Sequence, residues 1–259
     1  MVQSRQYSDA VLANMQSLYG KGFLSPGGAA EVFDIVDGVP IAGREVLDLG
    51  CGVGGASLVL AGQLGAARVL GLDVEPASLA RAASLVDEAG LAGRVAFELA
   101  TPGPLPLPDA AFDVVFTKDV VCHLPDKPAL FAEAYRVLRP GGVFACADWM
   151  RGAAPSADFE DWAARLAASG LVFHWEALEA YRAGLSGAGF APIEARDHSA
   201  WSERDGRRQL AQSERDAAAL RRALGDDGYR GRVALTRARV GALADGGLRH
   251  VHIRAYRPA

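Results

Sequence analysis

Residues 45–55 read Glu45-Val46-Leu47-Asp48-Leu49-Gly50-Cys51-Gly52-Val53-Gly54-Gly55, and the fold turns on this stretch. A short apolar run, fit for a buried strand, passes into a cluster of glycines and then into a helical pattern from Ala56. The same rhythm continues outward. Further strands are expected at 68–72, 94–99, 112–117 and 143–148, with helices at 56–64, 76–88 and 127–138 between them. The last of these places Leu130, Phe131, Ala134, Tyr135 and Leu138 on one face, has Pro128 in its first turn and stops at Arg139-Pro140-Gly141-Gly142. Strand–helix alternation of this kind predicts an α/β fold with a doubly wound, mostly parallel sheet. Residues 8–36 read as two short helices broken at Gly20-Lys21-Gly22 and at Ser25-Pro26-Gly27-Gly28. After Asp148 come helices near 157–168, 175–187, 203–223 and 226–244 and two more strands, 192–197 and 248–256, which make the sheet seven-stranded. The expected division is an N-terminal helical segment over 1–43 and a core over 44–259 with a helical insert at about 150–245.

Composition narrows the class. The chain has 259 residues, 50% of them apolar and 22% charged, enough apolar material for one large α/β domain. No 18-residue stretch is free of charges and Gly/Pro interruptions, which argues against a membrane span, and Met1 to Asp9 lack the apolar core of a secretory signal. A net charge of −4 offers no general attraction to nucleic acid. Cys51, Cys122 and Cys146 are odd in number and lack C-x-x-C spacing, so neither a disulfide framework nor a metal site is expected, and the cytoplasm is the expected compartment.

Gly50, Gly52 and Gly55 satisfy G-x-G-x-x-G, which admits a dinucleotide. Asp48 argues otherwise. A carboxylate two residues before the loop repels a pyrophosphate and suits a cationic cofactor. S-adenosylmethionine carries an ammonium and a sulfonium and no phosphate. Asp73, at the end of the second strand, can accept both ribose hydroxyls or cap the helix from Pro76. Thr101 and Lys118 stand at the ends of the third and fourth strands and join the cofactor side. In Thr117-Lys118-Asp119-Val120-Val121-Cys122-His123, Asp119 and His123 are four apart, close enough to aim at one crevice. An imidazole that titrates near neutrality can take a proton from an acceptor, and Asp119 can hold that acceptor.

Asp48-x-Gly50-x-Gly52, Asp73 and the turn Leu138-Arg-Pro-Gly-Gly142 together resemble the class I S-adenosylmethionine-dependent methyltransferases, which have a Rossmann-like core. Gln6-Tyr7-Ser8-Asp9, Tyr19 to Gly28, Asp119 with His123, Asp126 to Phe131 and the ending Gly246 to Ala255 are similar to the phosphoethanolamine N-methyltransferases and the sarcosine/dimethylglycine methyltransferases. The resemblance implies that residues 1–43 form a lid, with Tyr7 and His123 a dyad closing it over the acceptor. It also implies that Ser25 contacts the cofactor's methionine carboxylate and that Asp73 with Val74 holds ribose and adenine. The family's acid near adenine is replaced by Thr101-Pro102-Gly103, and its aromatic residue after strand five appears as Trp149. Its Tyr/Arg phosphate cluster has Trp162 and Arg165 as nearest counterparts, and Arg239 retains a cation near the C-terminus. Trp149, Trp162, Trp175 and Trp201 include candidates for stacking on a cationic or planar acceptor.

The expectation is a methyltransferase acting on a small-molecule amine nitrogen, with S-adenosylmethionine, without metal, and with no nucleic-acid or membrane partner. O-methylation of a sugar or phenol is the alternative. A nicotinamide oxidoreductase fits the glycines but not Asp48. A nucleic-acid methyltransferase would use the ten Arg against six acids over 203–239, but these interleave as on a solvated helix face, and no Asn-Pro-Pro-Tyr motif follows strand four. Intact Asp48, Asp73 and His123 argue against a non-catalytic scaffold.

Overall fold

The computed structural model describes residues 9–101, 103–153 and 156–259. Two helices, α1 (Asp9–Tyr19) and α2 (Gly28–Ile35), precede the first strand. Then follow β1 (Glu45–Leu49), α3 (Gly55–Leu58), β2 (Arg68–Asp73), α4 (Pro76–Glu88), β3 (Val95–Leu99), β4 (Phe112–Lys118), α5 (Lys127–Val137) and β5 (Leu138–Arg151). The chain ends with α6 (Ala157–Ala168), α7 (Leu178–Ala188), β6 (Ile193–Asp197), α8 (Ser199–Arg215), α9 (Ala217–Ala244) and β7 (Leu248–Tyr256). The strands form one sheet in the order β3-β2-β1-β4-β5-β7-β6. The first five are parallel, and β7 runs antiparallel to both its neighbours.

Alternation along the central strands builds two apolar layers. Val46, Val69, Val114 and Phe116 face α2, α3 and α4, whereas Leu47, Leu49, Val115 and Phe144 face α5 and α7, where Phe131, Tyr181 and Leu185 meet them. Each fully buried side chain of this size contributes about 1.5–3 kcal/mol, so the centre of the sheet is its most stable part. A third, smaller apolar cluster joins Trp149 at the end of β5 to Phe159 and Trp162 of α6 and to Ala238 and Leu243 of α9. It fastens the late helices over the carboxyl ends of the parallel strands.

Several elements depart from the sequence expectation. The fifth strand starts at Leu138, which pairs with Phe112 of β4, and reaches Arg151, because nine consecutive residues pair with β7, from Val143↔Tyr256 to Arg151↔Leu248. The helix expected from 175 begins at Leu178. The residues before it are tied down as an extended strap, with His174 N–H donating to Cys122 O and Arg151 N–H to Glu176 O. The helix expected over 56–64 keeps α geometry only to Leu58 and continues as a π turn, with Leu64 N–H donating to Val59 O. The break expected between 223 and 226 falls at Gly225, whose φ of +73° is non-helical, and a further division, not expected, lies at Asp216 between α8 and α9. The insert expected at 150–245 is interrupted too, since α7 packs in the main core and β6 completes the sheet. No helix among the described residues is long and apolar enough to cross a membrane.

Candidate active site

A cavity of about 1060 Å³ opens at the carboxyl ends of the parallel strands. Ser25, Asp48, Gly50, Gly52, Asp73, Val74, Thr101, Lys118, Asp119, His123, Trp149, Trp162 and Arg239 all contribute to its wall. Arg165, Trp175 and Trp201 do not line it, and Tyr7 lies outside the described residues.

One half is the glycine loop. Gly50 and Cys51 N–H both donate to Leu72 O, at 2.7 and 3.0 Å, so the chain turns sharply off β1. The loop also docks on the N-terminal segment: Gly55 N–H donates to Gly22 O at 2.9 Å, and a Cβ at Gly55 would lie 2.3 Å from that oxygen. Only glycine permits this approach. Asp73 Oδ2 accepts from Gly52 N–H at 2.8 Å and Oδ1 from Glu75 N–H at 2.9 Å, so its carboxylate joins the loop to the start of α4. Asp48 is buried, and its Oδ2 accepts from Ser57 Oγ at 2.6 Å. Burial pushes its carboxyl up to about 7, against the relief from Ser57, and burial likewise raises Asp73. No cation among the described residues pairs with Asp48. A buried carboxylate lacking a counter-charge at the cavity wall fits a cationic cofactor and does not fit a pyrophosphate. Val74, 49% exposed, and Thr101 line the same half.

Beneath this half lies a charged cluster. Lys118 is buried, and its Nζ donates to Ser25 Oγ and Pro26 O, both at 2.8 Å, and to Asp119 Oδ2 at 2.5 Å, while Glu31 Oε2 lies 3.0 Å away. All its donors are spent within the protein, which corrects its assignment as a cofactor contact. It secures the segment carrying Ser25 to the end of β4. Asp119, at φ +58°, pairs with Lys118 through Oδ2, and its Oδ1 lies 3.4 Å from His250 Nε2 with no hydrogen-bond partner, so its charge is already balanced within the cluster. Burial alone would raise the carboxyls of Asp119 and Glu31. The Lys118 ammonium overrides it, holding Asp119 well below the usual range and Glu31, with help from His250 and His252, down to about 2. Glu31 Oε1 lies 3.2 Å from both His250 and His252 Nε2. The ligand atoms of Glu31, His198 and His252 come within 4.8 Å of one another, close enough for a metal. Arg196, however, donates to His252 Nδ1, which leaves the proton on Nε2 for Glu31, so the cluster is built as an ion-pair network. Sequence reasoning missed Glu31, His250 and His252. The signal available was His-x-His within a strand, which puts both rings on one face.

The other half is aromatic. His123 sits in a short 3₁₀ turn after β4, its Nδ1 2.7 Å from Val172 O and its ring 4.2 Å from that of Phe173. The carbonyl can only accept, so Nδ1 carries a hydrogen, and Nε2 has no partner among the described residues. Trp149 stacks on His250 at 3.9 Å, with the Arg239 guanidinium 5.9 Å from the indole on the cavity side, and Trp162 packs beside it. Arg165 is paired with Asp161 on the surface, and Trp201 stacks on His198; neither lines the cavity. Trp175 stacks on Phe173 behind the wall, centroids 4.4 Å apart.

Comparison with known proteins agrees with this geometry. A family model described as "Methyltransferase domain" matches residues 47–146. Phosphoethanolamine N-methyltransferase 3 of Arabidopsis thaliana is 33% identical over 195 residues, 75% of this chain and 38% of that protein. The 27-O-demethylrifamycin SV methyltransferase of Amycolatopsis mediterranei is 36% identical over 62% of this chain and 59% of its own. The structure of Haemonchus contortus phosphoethanolamine N-methyltransferase 2, in complex with phosphomonomethylethanolamine and S-adenosylhomocysteine, superposes with a TM-score of 0.89. It is 24% identical, and the match covers 98% of this chain and 59% of that one. The chain thus spans well under half the length of the plant relatives it matches. With its sheet order, its glycine loop between two acids and these likenesses, the chain carries a class I S-adenosylmethionine-dependent methyltransferase domain.

Proposed function

We propose that the chain binds S-adenosylmethionine in the glycine-loop half of the cavity and methylates a hydroxyl oxygen of a small molecule held in the aromatic half. Asp48 would face the positive charge of the cofactor, Asp73 the ribose, Val74 and Thr101 the adenine side, and Ser25 the methionine carboxylate. When bound, the cofactor supplies a methyl group on a sulfonium, a centre open to in-line displacement. The chain's own residues position, exclude water and move a proton. The carrying observation is His123 at the cavity wall, whose Nδ1 is committed to Val172 O and whose Nε2 has no partner among the described residues. That nitrogen takes the hydroxyl proton as the oxygen attacks the methyl carbon.

An amine nitrogen is the second reading, favoured by the 33% identity to a plant phosphoethanolamine N-methyltransferase. Against it, the charge of Asp119 is already offset by Lys118, which leaves an incoming ammonium no uncompensated carboxylate there. The test is incubation with S-adenosylmethionine and a panel of phenols, sugars and amines, read by product mass. Hydroxy compounds gaining a methyl group, with kcat reduced about 10²–10⁴-fold in His123→Asn, support the proposal. Methylation of amines alone, or full activity in His123→Asn, overturns it.

A further inference from the structure

Arg232 and Arg239 are seven residues apart on α9, two turns along one face, and both line the cavity. A guanidinium stays charged in a protein, so burial demands a partner for each N–H and a counter-charge. Neither demand is met. Arg239, 4% exposed, donates to the neutral Gln209 Oε1 at 2.7 Å, and its Nε–H is buried without an acceptor. Arg232 reaches only Asn14 Oδ1 and Ser17 Oγ, at 3.2 and 3.3 Å, and its Nε–H is also buried and unmet. No carboxylate forms an ion pair with either among the described residues. Asp216, whose charge reaches Arg232, is taken up by Gln212 Nε2.

Around these two cations the wall is apolar. Trp149, Trp162, Leu166, Leu171, Phe173 and Leu235 surround them, and the indole of Trp149 lies flat on His250. The volume of about 1060 Å³ is at the top of the range of roughly 300–1,000 Å³ that holds one drug-sized ligand, so a second sizeable molecule fits beside a cofactor. A small, strongly hydrated zwitterion would leave most of that apolar wall wet.

We infer that the acceptor is a bulky molecule with a planar, largely apolar body and an acidic group. Its acid meets the guanidinium groups of Arg239 and Arg232, and its ring system lies among Trp149, Trp162 and Phe173. This rests on the proposed methyl transfer only in placing the acceptor in the same cavity, and it is tested by binding, without turnover. Calorimetry on the protein saturated with S-adenosylhomocysteine would compare 3-hydroxy-2-naphthoate, 2-naphthol and phosphoethanolamine. The expected result is naphthoate binding at least about tenfold more tightly than naphthol, the equivalent of one charged contact of about 1.4 kcal/mol, with phosphoethanolamine failing to compete. In Arg239→Met and Arg232→Met the naphthoate preference shrinks while naphthol affinity is kept, which a merely structural role for either arginine would not produce. Equal binding of naphthoate and naphthol, no naphthoate binding, or its displacement by phosphoethanolamine overturns the inference, and these arms need only the unmodified protein. If naphthoate binds as expected and no hydroxyl is methylated, only the proposed reaction fails. If small hydroxy compounds are methylated and naphthoate does not bind, only the acceptor class fails.

Discussion

Asp48 carries the sharpest residue-scale consequence. Its carboxyl is pushed from 3.8 up to about 7 by burial, so the folded chain holds this proton where the unfolded chain has released it. The sign follows directly. Between those values the native state binds more protons, and the stability of the cofactor-free protein falls as pH rises through the window. Asp48→Asn, which keeps a partner for Ser57 Oγ, should flatten that fall in denaturant titrations at pH 5 to 8. A cationic cofactor prefers the ionised form, so S-adenosylmethionine should bind more tightly as pH rises towards and past 7, with up to about tenfold per unit on the acid side. Proton release measured in two buffers by calorimetry checks this, and Asp48→Asn should abolish it. A pH-independent affinity in the unmodified protein would remove Asp48 from the cofactor site.

At the scale of elements, α2 packs in the core, and the segment before it is fixed by a backbone contact at Gly22 and a buried ion cluster at Lys118. Gly55→Ala puts a methyl group into Gly22 O, and relief requires the segment carrying Phe23, Leu24 and Ser25 to move off the loop. Overpacking of this kind costs about 1–3 kcal/mol, and it should appear as a fall in cofactor affinity together with a lower Tm. Wild-type affinity in this variant would show that the docking is dispensable. Lys118→Met leaves Glu31 and Asp119 facing each other without their cation and should destabilise by about 3–5 kcal/mol in urea unfolding. The sign of the acid limb follows from Glu31. Its carboxyl is held down to about 2, so its stabilisation is complete above 4.5 and is lost as pH falls towards 2. Lys118→Met should lose much of that acid sensitivity, and a variant as acid-sensitive as the parent would assign the effect elsewhere.

For the whole molecule, a ligand bound only by the folded chain stabilises it by mass action, by about 2.7 kcal/mol at a hundredfold excess over Kd. S-adenosylhomocysteine should therefore raise Tm by several degrees, and NADH should not. The reverse order would return the glycine loop to a dinucleotide. What the sequence by itself determined is the parallel core and the position of the cofactor half. Val46, Leu47 and Leu49 on β1 and Val114, Val115 and Phe116 on β4 are local apolar runs, and the glycine turn follows Asp48 in the chain, so pattern and spacing suffice to place them. Only tertiary structure decided what Lys118 and Asp119 do. Their partners, Glu31 from α2 and His250 from β7, are 87 and more than 100 residues away, and no local pattern records a charge balance assembled from three elements. The hydrogen on His123 Nδ1 likewise depends on Val172 O, a carbonyl on a strap that the sequence reads as the approach to a helix. The unmet charges of Arg232 and Arg239 became visible only when α9 folded over the aromatic wall, since a sequence shows a cation but not whether its counter-charge is near.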